Sequence, residues 1–172
     1  VVLMTADHGE RLGEDGVWDH CWSLHDLEIR VPLALHGGPG PEARDLDAPA
    51  STLDVFPTLL DALGVAGPDG LDGRTLLGSR SGAVALSNFE EQVAVAEADW
   101  KLYLEAREGA LEPTSLVRLQ GRVEGPETPL RAHGDVVNRL RSAAERAAPG
   151  LEQARALTED EFRRLRSIGY TD

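Results

Sequence analysis

Asp7-His8-Gly9-Glu10 follows directly on the apolar run Val1-Val2-Leu3-Met4, and it is the stretch of this 172-residue chain best equipped for chemistry. Asp7 offers a hard carboxylate oxygen and His8 an imidazole nitrogen, two donors that a divalent cation accepts readily. Gly9 would let the backbone turn sharply just after them. The run before them is short, partly β-branched and unalternated, the pattern of a buried strand in a parallel sheet. Ligands of open α/β sheets bind beyond the carboxyl ends of such strands, where Asp7 and His8 would lie. A capped turn beside an ordinary loop histidine has the same local sequence, so the surrounding pattern has to decide.

Other donors are weaker candidates. His20, Cys21 and His25 lack any recognised zinc spacing. Cys21 is the single cysteine, which excludes an intrachain disulfide framework and a Cys-x-x-Cys metal site. It reads as a partly buried thiol. Glu10 and Glu14 fit a solvated acidic loop or acceptors behind the cation ligands, and Trp18 and Trp22 fit a pocket wall or core packing. His36 lies after a second apolar run and could reach the same sheet edge, although a structural or solvent-facing place explains it better. His133 reads as a surface residue near a helix start, and Lys101 as structural.

Composition narrows the partners. Lys and Arg number 17 against 30 Asp and Glu, a formal net charge of −13. Such a surface argues against nucleic acid and against docking on an anionic membrane. A small anionic substrate stays open, because one bound cation inverts the sign locally. No stretch of 18 apolar residues is present, so no transmembrane helix is expected. The chain opens inside what reads as a core strand, without an initiator methionine, a charged leader or a cleavage site. A lone strand needs neighbours, so sequence preceding Val1 is expected. Compartment (periplasmic, secreted or cytoplasmic) and oligomeric state are not legible.

The elements that must position the donors follow from periodicity. Leu24 to Ile29 fit a short helix or turn, and "VPLALHG", residues 31–37, a second buried strand. In residues 52–64, Leu53, Phe56, Leu59, Leu60 and Leu63 recur at helical spacing, with Pro57 in the first turn and Gly64 as the stop. Beyond a Gly-rich connection the texture changes to short alternating strands, "AVALSNFE" and "QVAVAEADWKLYLEA", with a turn at Ala98-Asp99 and one further strand in "SLVRLQGRV". "DVVNRLRSAAERA" is amphipathic, and Thr158 with Glu161 forms a capping box for the tail. The fold class is therefore α/β followed by a smaller α+β piece with antiparallel strands, divided at residues 1–80 and 81–172.

The order of motifs resembles the C-terminal part of sulfatases, members of the alkaline-phosphatase superfamily. "TADHGERLGEDG", His20, "SLHD", "RVPLALHGG", "STLDVFPTLLDALGV" and "DGRTLL" follow the family's usual run. "DWKLYL" is similar to its "WKLI" strand, and "LRSIGY" to a common ending. The resemblance is close over residues 1 to about 104 and loose over the tail. It implies an alkaline-phosphatase-like sheet-and-helix domain with Asp7 and His8 as ligands of one divalent cation, usually calcium. It also implies that His20 occupies the active-site His or Lys position, contacting the sulfate oxygens or protonating the leaving group. The ten-residue spacing to Arg30 favours His20 over Cys21. His25 stands where Tyr is common and Trp22 where another His is frequent, changes that bear on substrate contacts.

What is absent is equally informative. The family's nucleophile is made from Cys or Ser in C/S-x-P-x-R, and an aspartate pair completes its metal site. Neither that motif nor an Asp-Asp pair occurs in the chain. The expected function is thus a sulfuric ester hydrolase segment acting on a small-molecule or glycan sulfate ester, catalytically incomplete by itself. Two alternatives stand beside it. One is a phosphodiesterase, phosphonate monoester hydrolase or phosphotransferase of the same superfamily using Mn2+, Mg2+ or Zn2+; the other is a truncated, non-catalytic module. A cation polarises ester oxygens and stabilises transition-state charge, and a histidine can protonate the departing alcohol near neutral pH.

Overall fold

The computed structural model describes residues 1–20, 23–37, 49–78, 85–89, 91–97, 99–120, 123–147 and 163. The first strand, β1 (Val2–Thr5), ends immediately before the Ala6-Asp7-His8 tip. A two-residue hairpin, β2 (Arg11–Leu12) with β3 (Trp18–Asp19), follows, then a short helix α1 (Asp26–Ile29) and β4 (Leu33–His36). Helix α2 (Val55–Ala62) continues from a 3-10 turn at Thr52–Asp54. A five-stranded meander follows: β5 (Ala85–Phe89), β6 (Gln92–Ala96), β7 (Trp100–Arg107), β8 (Ala110–Gln120) and β9 (Val123–Thr128). Helix α3 (Gly134–Ala147) follows the meander. The "SLVRLQGRV" run therefore spans two strands rather than one. Cys21, Trp22, Ala98 and the Thr158–Glu161 capping box lie outside the described residues.

The expectation of a buried parallel pair at the start is corrected. β1 and β4 pair antiparallel, with Val2 opposite His36 and Thr5 opposite Leu33. Leu3 and Leu35, register partners, are half-buried, whereas Val2 and Met4 are 64% and 58% exposed. An apolar run reports that both faces of a strand suit burial. It carries neither the direction of the partner nor what covers each face, and two strands cannot enclose both.

Helix α2 departs from its periodicity for a related reason. The stripe through Leu53, Phe56 and Leu63 is exposed, Phe56 to 52%, while Asp54, Thr58 and Ala62 are buried. The inward face is a polar clasp. The Asp54 carboxylate accepts from the Ser51 and Arg74 backbone N–H groups at 2.9 and 2.8 Å. The Thr58 hydroxyl donates to Asp54 O at 2.5 Å and accepts from Leu76 N–H at 3.0 Å. This pins residues 73–77 along the helix, and Gly73 is needed there because a Cβ would overlap the Leu53 carbonyl.

The meander follows its alternation. Register pairs Val93 with Leu104, Val95 with Leu102 and Leu102 with Leu116, all on one face. They pack against Val136, Val137, Leu140 and Ala144 of α3 as a single core cluster. Each fully buried Leu or Val there contributes about 1.5–3 kcal/mol. The residues between them, Lys101 and Tyr103, fall on the opposite face by the same period of two.

Lys101 is 1% exposed. Its ammonium donates to Leu24 O and Asp26 Oδ1 at 2.6 Å each and to Glu124 Oε1 at 2.7 Å, so its three protons meet three acceptors. Glu124 Oε1 also accepts from the Asp26 backbone N–H at 2.9 Å and the Tyr103 hydroxyl at 2.7 Å. Burial and the Glu124 carboxylate together push the Tyr103 phenol far above its ordinary value, so it stays a donor. This knot ties α1 to β7 and β9.

Removing one member of such a buried charge pair strands the other, at a cost of about 3–5 kcal/mol. Lys101→Met is expected to lose that much in urea denaturation, and wild-type stability in that variant would remove the clamp from the account.

The sign of the acid dependence is also fixed. Burial works to raise the Glu124 carboxyl, but hydrogen bonds from Lys101 and Tyr103 outweigh it and hold it below the ordinary 4.5. Its contribution is present above that value and lost as pH falls through the folded pKa. Asp26 runs the other way. Burial, reinforced by the adjacent Glu124 charge, exceeds the effect of Lys101 and holds it above the ordinary 3.8, so its ionisation costs stability as pH rises. Denaturation midpoints followed from about pH 7 to about pH 3 should show a flatter acid limb for Glu124→Gln than for wild type, and a steeper one for Asp26→Asn. The opposite order would reverse the two assignments.

Candidate active site

The tip beyond β1 is set by a close backbone approach. The Gly9 N–H donates to Glu28 O of α1 at 2.6 Å. A Cβ on Gly9 would overlap the Leu27 carbonyl oxygen, and Gly9 is not among the residues with positive φ. The glycine expected for a sharp turn is thus required for proximity instead, bringing the Asp7-His8 peptide against α1.

The hairpin then returns the chain over the tip. Gly13 takes φ +110°, its N–H donates to Val17 O at 3.0 Å, and Arg11 lies opposite Asp19. The Leu12 N–H donates to the Glu14 carboxylate at 2.6 Å, and Glu14 is held below the usual carboxylate range by backbone hydrogen bonds, its own first and that of Leu12 next. Trp18 is 74% exposed, so it does not pack in a core among the described residues. Just after β3, His20 stacks on His8 with ring centroids 4.3 Å apart and planes 12° from parallel. His20 Nδ1 faces Glu10 Oε1 at 3.8 Å.

The hydrogen bonds fix the chemistry of the first pair. His8 Nδ1 lies 2.9 Å from Gly9 O. A carbonyl only accepts, which places a proton on Nδ1 and, in the neutral ring, leaves the lone pair on Nε2. That nitrogen is 3.9 Å from Asp7 Oδ2. Asp7 Oδ1 accepts from the His8 N–H at 3.0 Å, and this bond is the first cause of a carboxyl held below its usual range. A carboxylate oxygen and an imidazole lone pair therefore face one gap that a single cation spans with bonds of about 2.0–2.5 Å. The donor set fits a divalent cation as part of a site. Among the described residues no group of three or more His, Cys, Asp or Glu converges. Asp7 also borders a shallow cleft of about 620 Å³ with Thr5, Ala6, Thr52 and Val55, between the end of β1 and the start of α2.

The other candidates are placed elsewhere. His25 caps α1: its Nδ1 accepts from Leu27 N–H at 3.2 Å, and Nε2 faces Glu124 Oε2 at 3.3 Å. Its side chain serves the Lys101 knot. Antiparallel pairing puts His36 opposite Val2, at the far end of β1 from Asp7, where it is exposed, in keeping with the solvent-facing reading rather than the shared edge. His133 is half-buried against Trp100 at 4.8 Å.

Sequence reasoning missed Arg11, Ser23 and Glu28. Glu28 is 4% exposed and accepts from Arg11 Nε at 2.7 Å. It also accepts from the Ser23 hydroxyl at 2.8 Å and from the Ser23 N–H at 3.0 Å. An ion pair 17 positions apart leaves no periodic trace.

Comparison with known proteins gives this geometry a context. The family model described as Sulfatase matches residues 1–65, which carry the tip, the hairpin, α1 and α2. Mouse arylsulfatase K is 38% identical over 87 residues, 49% of this chain and 15% of its own length. The choline-sulfatase of Rhizobium meliloti is 32% identical over 133 residues, 70% of this chain and 25% of its own. Two solved structures share the fold. One, from work on glycosaminoglycan metabolism by Bacteroides thetaiotaomicron, has a TM-score of 0.63 at 16% identity and covers 88% of this chain and 38% of its own. The other was solved with its substrate D-glucosamine-2-N,6-O-disulfate; its TM-score is 0.58 at 17% identity, over 89% of this chain and 35% of its own. The chain spans between 15% and 25% of the length of these curated relatives. The family match and the relatives agree, and the chain belongs to the sulfatase family, of whose members it spans a part.

Proposed function

We propose that this chain is the C-terminal part of a sulfuric ester hydrolase, with residues 1–80 in its catalytic α/β domain and 81–172 in a smaller subdomain. The observation that supports this reading best is the stack of His20 on His8 beside the Asp7 carboxylate. It gathers a pair of cation donors and a second imidazole at one strand end. Asp7 and His8 would hold a divalent cation, calcium by the family resemblance, with the remaining ligands and the nucleophile supplied from outside these 172 residues. When bound, the cation shields and polarises the sulfate oxygens.

The chain's own residues divide the rest of the work. Asp7 stays ionised through the His8 N–H, and Gly9 O holds the His8 proton on Nδ1 so that Nε2 stays available. His20, held at the ring of a ligand, gives its proton to the alcohol oxygen as the S–O bond breaks, or holds a sulfate oxygen. The arylsulfatase and choline-sulfatase relatives and the glucosamine disulfate complex support a small organic or glycan sulfate ester as substrate.

In the complete enzyme, Asp7→Ala should abolish turnover and weaken cation binding measured by calorimetry; near-normal activity would discard the ligand assignment. His20→Ala should lower kcat by about 10²–10⁴-fold with a smaller change in KM, and a pure KM effect would make His20 a binding residue. Gly9→Ala tests the tip itself. A methyl there forces the Asp7-His8 peptide off α1 and should weaken cation affinity about 10–100-fold; unaltered affinity would show that proximity to α1 is not needed.

A further inference from the structure

We infer that Arg11 and Glu28 are positioning residues that set the spacing between His20 and the Asp7-His8 cation donors, an inference that rests on the sulfatase reading above. Glu28 holds both sides of the candidate site from a single position on α1. Its backbone carbonyl takes the Gly9 N–H at 2.6 Å, fixing the peptide that follows His8. Its side chain takes Arg11 Nε at 2.7 Å and both the hydroxyl and N–H of Ser23 at 2.8 and 3.0 Å. Arg11 adds a bond from Nη2 to the Ser23 hydroxyl at 3.0 Å. Ser23 lies three positions after His20, and Arg11 lies opposite Asp19, the residue before it. The residues flanking His20 are thus tied to this ion pair, Ser23 by hydrogen bonds to both side chains and Asp19 by the strand pairing of Arg11, and the two side chains are 14% and 4% exposed.

Stability alone does not account for this arrangement. Replacing a buried ion pair by apolar groups of similar volume is often neutral or stabilising. An ion pair with directional bonds to the flanks of two functional groups fixes their separation, which close packing of flexible apolar chains does less well.

The test uses the complete enzyme and sulfate esters of graded leaving-group acidity: 4-nitrophenyl, phenyl and alkyl sulfate. A misplaced proton donor penalises departing alcohols that need a proton and spares 4-nitrophenolate. Arg11→Lys and Glu28→Gln are expected to lower kcat for the alkyl ester by about 10–100-fold, the range for residues that orient functional groups, with a much smaller loss for the 4-nitrophenyl ester. Cation content and KM should stay near wild type. A loss equal across the series, or no loss, overturns the inference. The double variant Arg11→Met/Glu28→Met conserves volume and keeps the fold testable if a single variant does not fold; it should show the same leaving-group dependence. His20→Ala serves as the reference. If it lacks that dependence, the reading of His20 as proton donor fails. If His20→Ala has it and the Arg11 and Glu28 variants do not, only the positioning inference fails.

Discussion

A buried ammonium that must find three acceptors governs how the parts of this chain meet. Lys101 occupies the face of β7 that points away from the α3 core because Leu102 and Leu104 occupy the other. Strand alternation leaves it no third choice. An uncompensated charge there would be far more costly than any apolar contact it displaces, so a neighbouring carbonyl and neighbouring carboxylates have to supply partners. Leu24 O and Asp26 do so, and the small helix α1 comes to rest against the meander in one orientation. The Glu124 carboxylate, shared with Tyr103, closes the charge balance and blocks slippage of β9 relative to β7.

From α1 the constraint passes to the chemistry. The same four residues that Lys101 anchors on one side present Glu28 on the other, and Glu28 takes hold of the tip and of the loop bearing His20. The imidazole stack is therefore the end of a chain of directional bonds that begins in the C-terminal sheet. The links are hydrogen bonds to backbone groups, a hydroxyl and paired charges, and each fixes an angle as well as a distance. The glycine after the donor pair belongs to the same logic, since any side chain would keep the tip from reaching the helix.

Much of this was legible in the residues alone. Asp7, His8 and His20 stand out through motif order, and the structure brings the three together. The alternation in "WKLYL" and the amphipathic run before residue 147 place the meander and α3 correctly, because both elements bury one face against each other. Burial failed to follow the pattern where the apolar face meets nothing within the described chain. β1 and the stripe on α2 are as hydrophobic as their sequences suggest and yet exposed, since periodicity records a preference for cover and not its source. The polar half of the site was illegible for a different reason. Arg11, Ser23 and Glu28 are ordinary surface types, and only the fold shows that Glu28 is buried with the other two half-buried against it.

The open edge of β1 sets a timing condition. Among the described residues this strand has one neighbour, β4, and its other side offers backbone groups beside exposed Val2 and Met4. Such an edge is a template for whichever strand arrives first, from the same polypeptide or from another copy. The meander, built from strands that each pair with their neighbours in sequence, can form while that side still waits. Pairing at β1 is then a contest of arrival times, which a rise in protein concentration tilts toward another copy.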